Sequence, residues 1–359
     1  MKSKCKAVLA ALLAVLLICL CGCTQNAKKA QINTVTDYNA ELADYKLSID
    51  AANEIHDISD LLFGIFFEDI NFAADGGLYA EKIANRSFEF TELAAGDQLY
   101  GWRTIGDAKA EVKINDTKKC LNENNTNYLV LSSNSKKEAG IENVGFLDGI
   151  SIEKDKEYNF SMYAKGIDNY SGAITVRLLV KDSNNVQTVA AESTIESITD
   201  KWAKYSLSFT SSIDASEGVT LQLLMEPGTV ALDMVSLFPK DTYKGRENGL
   251  RKDLATLLEE LQPKFLRFPG GCVIEGYDDA SDYSWKDSIA VGSNGLPLEF
   301  NGTYGDVAAR KQGINIWTDI KATDDKWPSF MSYGLGFYEY FQLAEDIGAV
   351  GVPVLNCGL

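Results

Sequence analysis

Between about Phe90 and Pro239 apolar residues recur at every second position. "YNFSMYA" alternates Phe160, Met162 and Ala164, and "ITVRLLV" alternates Ile174, Val176, Leu178 and Val180. "YSLSF" carries Tyr205, Leu207 and Phe209, and "VTLQLLM" carries Val219, Leu221, Leu223 and Met225. Period-two runs broken by Asn, Asp, Gly and Ser specify strands with one buried face. A succession of them predicts a β-sandwich. The flanks follow a different period. "NGLRKDLATLLEELQPK" sets Leu250, Leu254, Leu257, Leu258 and Leu261 at helical spacing, with Pro263 past the stop, and runs into the short strand "FLRFPGG". "GLGFYEYFQLAEDIGA" places Phe337, Phe341, Ala344 and Ile347 on one helical face, ahead of the strand "VGVPVLNCG". With the apolar run "LLFGIFFEDI", the order is strand, sandwich, helix, strand, long connection, helix, strand. That succession implies parallel strands, as in a (β/α) barrel or a doubly wound sheet. The interval from Cys272 to Gly334 is too long for a plain connection, and such loops carry function or partial structure.

The N-terminus has its own pattern. "MKSKCK" is basic and "AVLAALLAVLLICL" is apolar but shorter than the roughly 20 residues of a membrane span, so it reads as an export signal. "LCGC" resembles a bacterial lipobox. That resemblance implies a signal peptide over residues 1–23, with Cys23 lipidated as the first mature residue. Residues 24–44 become a polar tether, and the protein an exported lipoprotein anchored at the cell surface or membrane. An uncleaved signal anchor is the alternative. Cys5, Cys19, Cys21 and Cys23 all lie in this segment. Cys120, Cys272 and Cys357 are widely separated and give neither zinc spacing nor a disulfide framework.

Charge narrows the partners. Lys+Arg 34 against Asp+Glu 51 gives a net charge of -17, which repels nucleic acid and anionic lipid and suits a neutral substrate. The single histidine, His56, excludes a His-rich metal site and makes a Ser-His-Asp triad improbable.

Three short strands end on polar groups: Glu68 in "FFED", Arg267 in "LRFPGG" and Asn356 in "VLNCG". In a (β/α)8 barrel such strand ends converge on the active site. A carboxylate, a guanidinium and an amide gathered there can bond sugar hydroxyls, and Arg267 can hold a carboxylate ionised. Gly270 and Gly271 permit a tight turn beneath a ligand. A structural Glu68–Arg267 ion pair accounts for the pattern equally well.

"LLFGIFFEDINFAADGGLYAEKIANRSFEF", "NGLRKDLATLLEELQPKFLRFPGGCVIEG" and "GLGFYEYFQLAEDIGA", in that order, resemble the α-L-arabinofuranosidases of glycoside hydrolase family 51. The resemblance runs from about Tyr45 to the last residue. It implies the start of a (β/α)8 TIM barrel, its first three strands only, interrupted by an inserted jelly-roll sandwich of carbohydrate-binding type. Residues 45–90 would hold a strand of an accessory sandwich, "YKLSIDA", and the first barrel strand. Residues 91–240 would be the insert, and 241–359 barrel strands two and three with their helices. Residue by residue, Glu68 matches a non-catalytic glutamate that contacts arabinose, and Arg267 an arginine supporting the active-site carboxylates. Cys272 falls beside the sugar, Trp327 looks like an aromatic of the substrate loop, and Asn356 has a lesser role. The implied reaction is exo-acting removal of terminal arabinofuranosyl groups from arabinan or arabinoxylan, by a parent enzyme that forms homo-oligomers.

The family's retaining mechanism uses two glutamates about 5–5.5 Å apart, on the fourth and seventh barrel strands. No match to either occurs here, so both are expected beyond Leu359 and the chain is expected to be inactive alone. Glu275, Glu339 and Glu345 receive no catalytic role. The competing reading is a non-catalytic, surface carbohydrate-binding lipoprotein whose sandwich uses Trp102, Trp202, Tyr163 and Phe146. Their strand alternation favours core positions. No cofactor is implied. A structural calcium in the sandwich would draw on Asp233, although calcium takes six to eight oxygen ligands.

Overall fold

The computed structural model describes residues 47–90, 98–147, 149–276, 283–318 and 329–356. The chain divides into two units, Met1–Asp57 and Ile58–Leu359. The first has no strand among its described residues. Leu47 and Ile49 of the anticipated strand "YKLSIDA" are 84% and 80% exposed. The family resemblance assigns this segment to an accessory sandwich, and a lone strand is stable only when paired with such a partner.

In the second unit β1 (Ile65–Phe66) is followed by eleven antiparallel strands. These are β2 (Trp102–Ile105), β3 (Lys109–Lys113), β4 (Tyr128–Ser133), β5 (Gly140–Asn143), β6 (Ile150–Ile152), β7 (Glu157–Ile167), β8 (Ile174–Lys181), β9 (Gln187–Ile195), β10 (Ala203–Thr210), β11 (Ala215–Met225) and β12 (Gly228–Pro239). They form two sheets, ordered β10-β7-β12-β4-β3 and β2-β5-β11-β8-β9, with β6 on β11. The alternating residues named from sequence face each other between the sheets. Phe160, Met162, Ala164, Ile174, Val176, Leu178, Val219, Leu221 and Leu223 are all at 0–1% exposure. Each of these side chains except that of Ala164 stabilises the sandwich by about 1.5–3 kcal/mol, which gives this part a core of its own.

The remaining strands are short. β13 (Phe265–Phe268) follows the helix Lys252–Glu260. β14 (Glu299–Phe300), β15 (Thr303–Tyr304), β16 (Gly313–Ile314) and β17 (Phe330–Met331) lie in the long connection, and β18 (Val350–Pro353) follows the helix Phe337–Asp346. β1, β13 and β18 make a parallel sheet in that order, with Phe66, Arg267 and Val352 in one register row. The opposite face is the packed one. Leu266 and Phe268 are fully buried, and Phe268 stacks on Tyr340 of the second helix at 4.9 Å.

That helix buries Phe337, Tyr340, Leu343, Ala344 and Ile347, while Phe341 stays 46% exposed. Both Tyr340 and Phe341 meet the Phe268 ring, Tyr340 stacked flat at 4.9 Å and Phe341 edge-on at 5.0 Å, so Phe341 lies at the margin of the buried stripe. The Cys272–Gly334 connection is neither a plain loop nor an independent fold. Its hairpins and turns lie on the sandwich. Asn122, Asn124 and Asn125 donate side-chain amide hydrogens to the carbonyls of Ala308 (2.7 Å), Ala309 (2.7 Å) and Ala308 again (2.9 Å). Among the described residues no helix is long and apolar enough to cross a membrane. The signal segment and Cys23 lie outside the described residues.

Candidate functional site

Parallel pairing continues past the assigned end of β1. Phe67 N–H donates to the Arg267 carbonyl at 2.8 Å and Asp69 N–H to the Pro269 carbonyl at 3.0 Å. The extended backbone places Phe66 and Glu68 on the sheet face that also carries Arg267, and turns Phe67 and Asp69 inward. The Glu68 carboxylate accepts the Val273 N–H at 3.1 Å, so it sits against the turn that holds Cys272. Gly270 makes this possible. Its φ of +145° suits glycine, and a Cβ there would stand 2.3 Å from Glu68 Cγ.

Arg267 is half-buried, and among the described residues its guanidinium has no carboxylate within ion-pair distance. The Glu68–Arg267 ion pair allowed by the sequence is not formed. Cys272 is exposed at the start of the turn Cys272–Glu275. Asn356 is exposed beyond β18, where its amide donates to the Ile274 carbonyl at 3.4 Å. It borders a hollow of about 160 Å³ walled by Trp285, Tyr283 and Ser284. Glu68, Arg267, Cys272 and Asn356 therefore gather at the same end of the parallel sheet. Trp327 lies outside the described residues.

Sequence reasoning passed over two groups here. Trp317 is 40% exposed, and its backbone N–H donates to Asn315 Oδ1 at 3.0 Å. Asn315 in turn donates to the Asp69 carbonyl at 2.8 Å, which ties the backbone carrying this indole to the residue next to Glu68. The available signal was "GINIWTD", where Trp317 breaks the apolar alternation of Ile314 and Ile316. The other group is a buried layer of acids beneath the strand end. Asp69 is 4% exposed and accepts the Ala74 N–H at 3.0 Å. Burial, then the charge of Asp75, pushes it up to about 8. Asp75 is also raised by burial, against two hydrogen bonds from Ser332 at 2.6 and 2.7 Å. Glu81 Oε1 accepts the N–H groups of Lys82, Ile83 and Leu237, and Oε2 pairs with Arg86 at 3.1 Å. "DGGLYAE" is thus a scaffold that joins the parallel sheet to β12.

Of the four sandwich aromatics Trp102 faces the core between the sheets, Tyr163 and Trp202 pack on the outer face with Ala308 and Phe300 of the long connection, and Phe146 packs beside Phe90, Tyr100 and Phe330. Trp102 and Tyr163 are 5% exposed, and Trp102 Nε1 donates to the Asn85 carbonyl at 3.0 Å. Trp202 is half-buried, with Lys165 over its ring at 4.6 Å, and Phe146 packs edge-on against Phe72. Asp233 is fully buried, and burial followed by the charge of Glu89 raises it well above the carboxylate range. Among the described residues no three acidic, Cys or His side chains cluster as a metal site, so Asp233 has no companions for the six to eight oxygens calcium takes.

Residues 257–359 match the family described as "Alpha-L-arabinofuranosidase 1 domain", and residues 80–229 match a "Carbohydrate binding domain". The chain is 38% identical over 337 residues to an extracellular exo-α-L-arabinofuranosidase of Streptomyces chartreusis, covering 90% of this chain and 36% of that protein. It is 34% identical over 322 residues to α-L-arabinofuranosidase 2 of Arabidopsis thaliana, covering 87% and 43%. The chain thus spans well under half the length of these two relatives. An arabinose-bound GH51 α-L-arabinofuranosidase superposes with a TM-score of 0.69 at 30% identity, over 84% of this chain and 45% of that one. Over the segment it shares with them, the chain is a relative of the α-L-arabinofuranosidases of glycoside hydrolase family 51.

Proposed function

We propose that this chain supplies the sugar-orienting strand ends of a retaining, exo-acting α-L-arabinofuranosidase. In this reading β1, β13 and β18 open a (β/α)8 barrel and residues 91–240 are a sandwich inserted after its first strand. The sheet face bearing Phe66, Arg267 and Val352 becomes the barrel interior. Phe66 at 67% and Val352 at 40% exposure are consistent with a face that further strands cover. Glu68 bonds the hydroxyls of a terminal arabinofuranosyl group. Arg267 bonds the sugar and keeps a neighbouring carboxylate ionised, Cys272 and Asn356 border the ring, and Trp317 offers an apolar platform. Trp327 is proposed in the same substrate loop.

Acid/base and nucleophile chemistry requires two carboxyl groups about 5–5.5 Å apart, and we assign neither to a glutamate of these 359 residues. Glu339 is held by Arg310 at 2.7 Å, and Glu68 by the Val273 N–H. Arabinose-containing polysaccharides are the proposed substrates. Export with lipidation at Cys23 is proposed from the N-terminal pattern, and the extracellular Streptomyces relative supports export.

The observation that carries this reading is a half-buried guanidinium with no carboxylate partner among the described residues, on the same face and at the same strand ends as Glu68. Titration of the chain with L-arabinose, followed by NMR, tests it. Binding that Arg267→Lys and Glu68→Gln each weaken at least about tenfold, the loss of one charge-assisted hydrogen bond, is the expected result. Binding indifferent to both substitutions overturns the assignment. The chain alone should not hydrolyse an aryl α-L-arabinofuranoside.

A further inference from the structure

A cleft of about 990 Å³ lies between the sandwich and the segment leading into the helix Lys252–Glu260. That is room for an oligosaccharide rather than a single ion. Five cations line it, and four of them meet a carboxylate. Lys156 and Lys252 share Asp241 at 3.9 and 2.8 Å, Lys240 meets Glu157 at 2.8 Å, and Arg251 meets Asp253 at 2.5 Å. Lys82 is the exception among the described residues. Its ammonium donates to Ser151 Oγ at a long 3.5 Å and lies 5.9 Å from the centre of the Tyr158 ring. Burial, then the positive charge of Arg251, lowers its pKa, while Glu153, Glu81 and Asp253 compensate only in part. Two of those three acids are engaged elsewhere, Glu81 with Arg86 and Asp253 with Arg251.

Glu153, the third, acts on Lys82 only from beyond ion-pair distance, and a partly desolvated cation with no described carboxylate that close is unfavourable unless a ligand supplies the missing charge. We propose that this cleft binds the carboxylate of an acidic sugar, a uronic acid within a polysaccharide, with Lys82 and Ser151 at the carboxylate and Arg251 adding attraction. The overall charge of -17 argues for such a ligand over a polyphosphate. A uronic acid brings one charge among many neutral hydroxyls, and the mixed Lys, Asp, Glu and Ser lining can bond those hydroxyls. The site is separate from the strand ends, so the proposal stands or falls independently of the hydrolase reading.

Calorimetric titration of the full chain with a galacturonate trisaccharide, beside neutral arabinotriose, tests it. The acidic trisaccharide should bind at low ionic strength and weaken with added salt, while arabinotriose should leave the cleft empty. Lys82→Met should weaken binding at least about tenfold, and Lys156→Met, which removes a cation already paired, less than about twofold. Equal binding of the two trisaccharides, or wild-type affinity in Lys82→Met, overturns the proposal. Should the variant fold poorly, acetylation of the unsubstituted protein replaces it: the acidic trisaccharide should protect Lys82, and labelling at an unchanged rate overturns the proposal equally.

Discussion

Arg310 offers a quantitative test of how the long connection is held. Its side chain is 3% exposed and forks onto Glu339, with Nη1–Oε2 at 2.7 Å and Nη2–Oε1 at 2.8 Å. It also donates to the carbonyls of Tyr333 at 2.6 Å and Gly305 at 3.0 Å. Glu339 itself caps the helix it starts, accepting the Gly336 N–H at 3.0 Å. Arg310→Met keeps volume but strands a carboxylate that is only 15% exposed, together with two carbonyls. Removing one partner of a buried pair costs about 3–5 kcal/mol, and water reaching Gly305 recovers part of the carbonyl loss, so about 4 kcal/mol is expected. That corresponds to a fall of roughly 10 °C in Tm for a unit of this size.

Arg310→Lys, which keeps charge but loses the fork, should lose about half as much. The double variant Arg310→Met with Glu339→Leu should recover at least about 2 kcal/mol relative to the sum of the singles, because it leaves no charge unpaired. Urea unfolding of the four proteins gives the cycle. If the single losses simply add, or if Arg310→Met loses less than about 1 kcal/mol, the fork is not what holds this helix.

Two further outcomes follow from the buried layer and the glycine turn. In the unfolded chain Asp69 ionises from 3.8 upward, whereas in the folded protein it stays protonated until about 8, so stability falls as pH rises through that window. Asp69→Asn should flatten the slope and raise stability at pH 7 by up to about 4 kcal/mol. Urea midpoints at pH 5 and pH 8 measure this, with the residual slope belonging to groups such as Glu89, also pushed up to about 8. An unchanged slope refutes it. Gly270→Ala should displace Glu68 and abolish arabinose binding with a loss of stability of about 1–3 kcal/mol, from strain at positive φ and the 2.3 Å contact. Arabinose binding that survives the substitution would contradict the placement of Glu68.

Legibility followed the range of the forces. The sandwich strands were readable because Phe160 through Met225 alternate against a local partner face, and period two needs no distant information. The two helices and the strands after them were readable from Leu spacing and Pro263. The strand expected at "YKLSIDA" rests on the family resemblance alone, and its first two residues lie outside the described ones. The stripe Phe337, Ala344 and Ile347 is buried as its spacing indicated, with Phe341 at its margin; that Tyr340 joins it was not legible, because its place is set by stacking on Phe268. Glu68 and Arg267 stood out as polar residues at the ends of apolar runs. Asp69, Asp75 and Arg310 did not, because their roles come from partners 5, 257 and 29 positions away. Trp317 was hidden for the same reason, its anchor on Asp69 lying 246 residues from Asn315.

The asparagine grip of the sandwich on the long connection has an evolutionary corollary. Asn122, Asn124 and Asn125 bind main-chain oxygens of residues 308 and 309, which every amino acid, proline included, presents alike. Substitutions among the gripped residues are therefore nearly invisible to the grip, whereas replacing an asparagine releases the segment. Drift in the connection is thereby decoupled from its placement, so that loop can diversify its side chains, and with them the rim above the strand ends, without a compensating change in the sandwich.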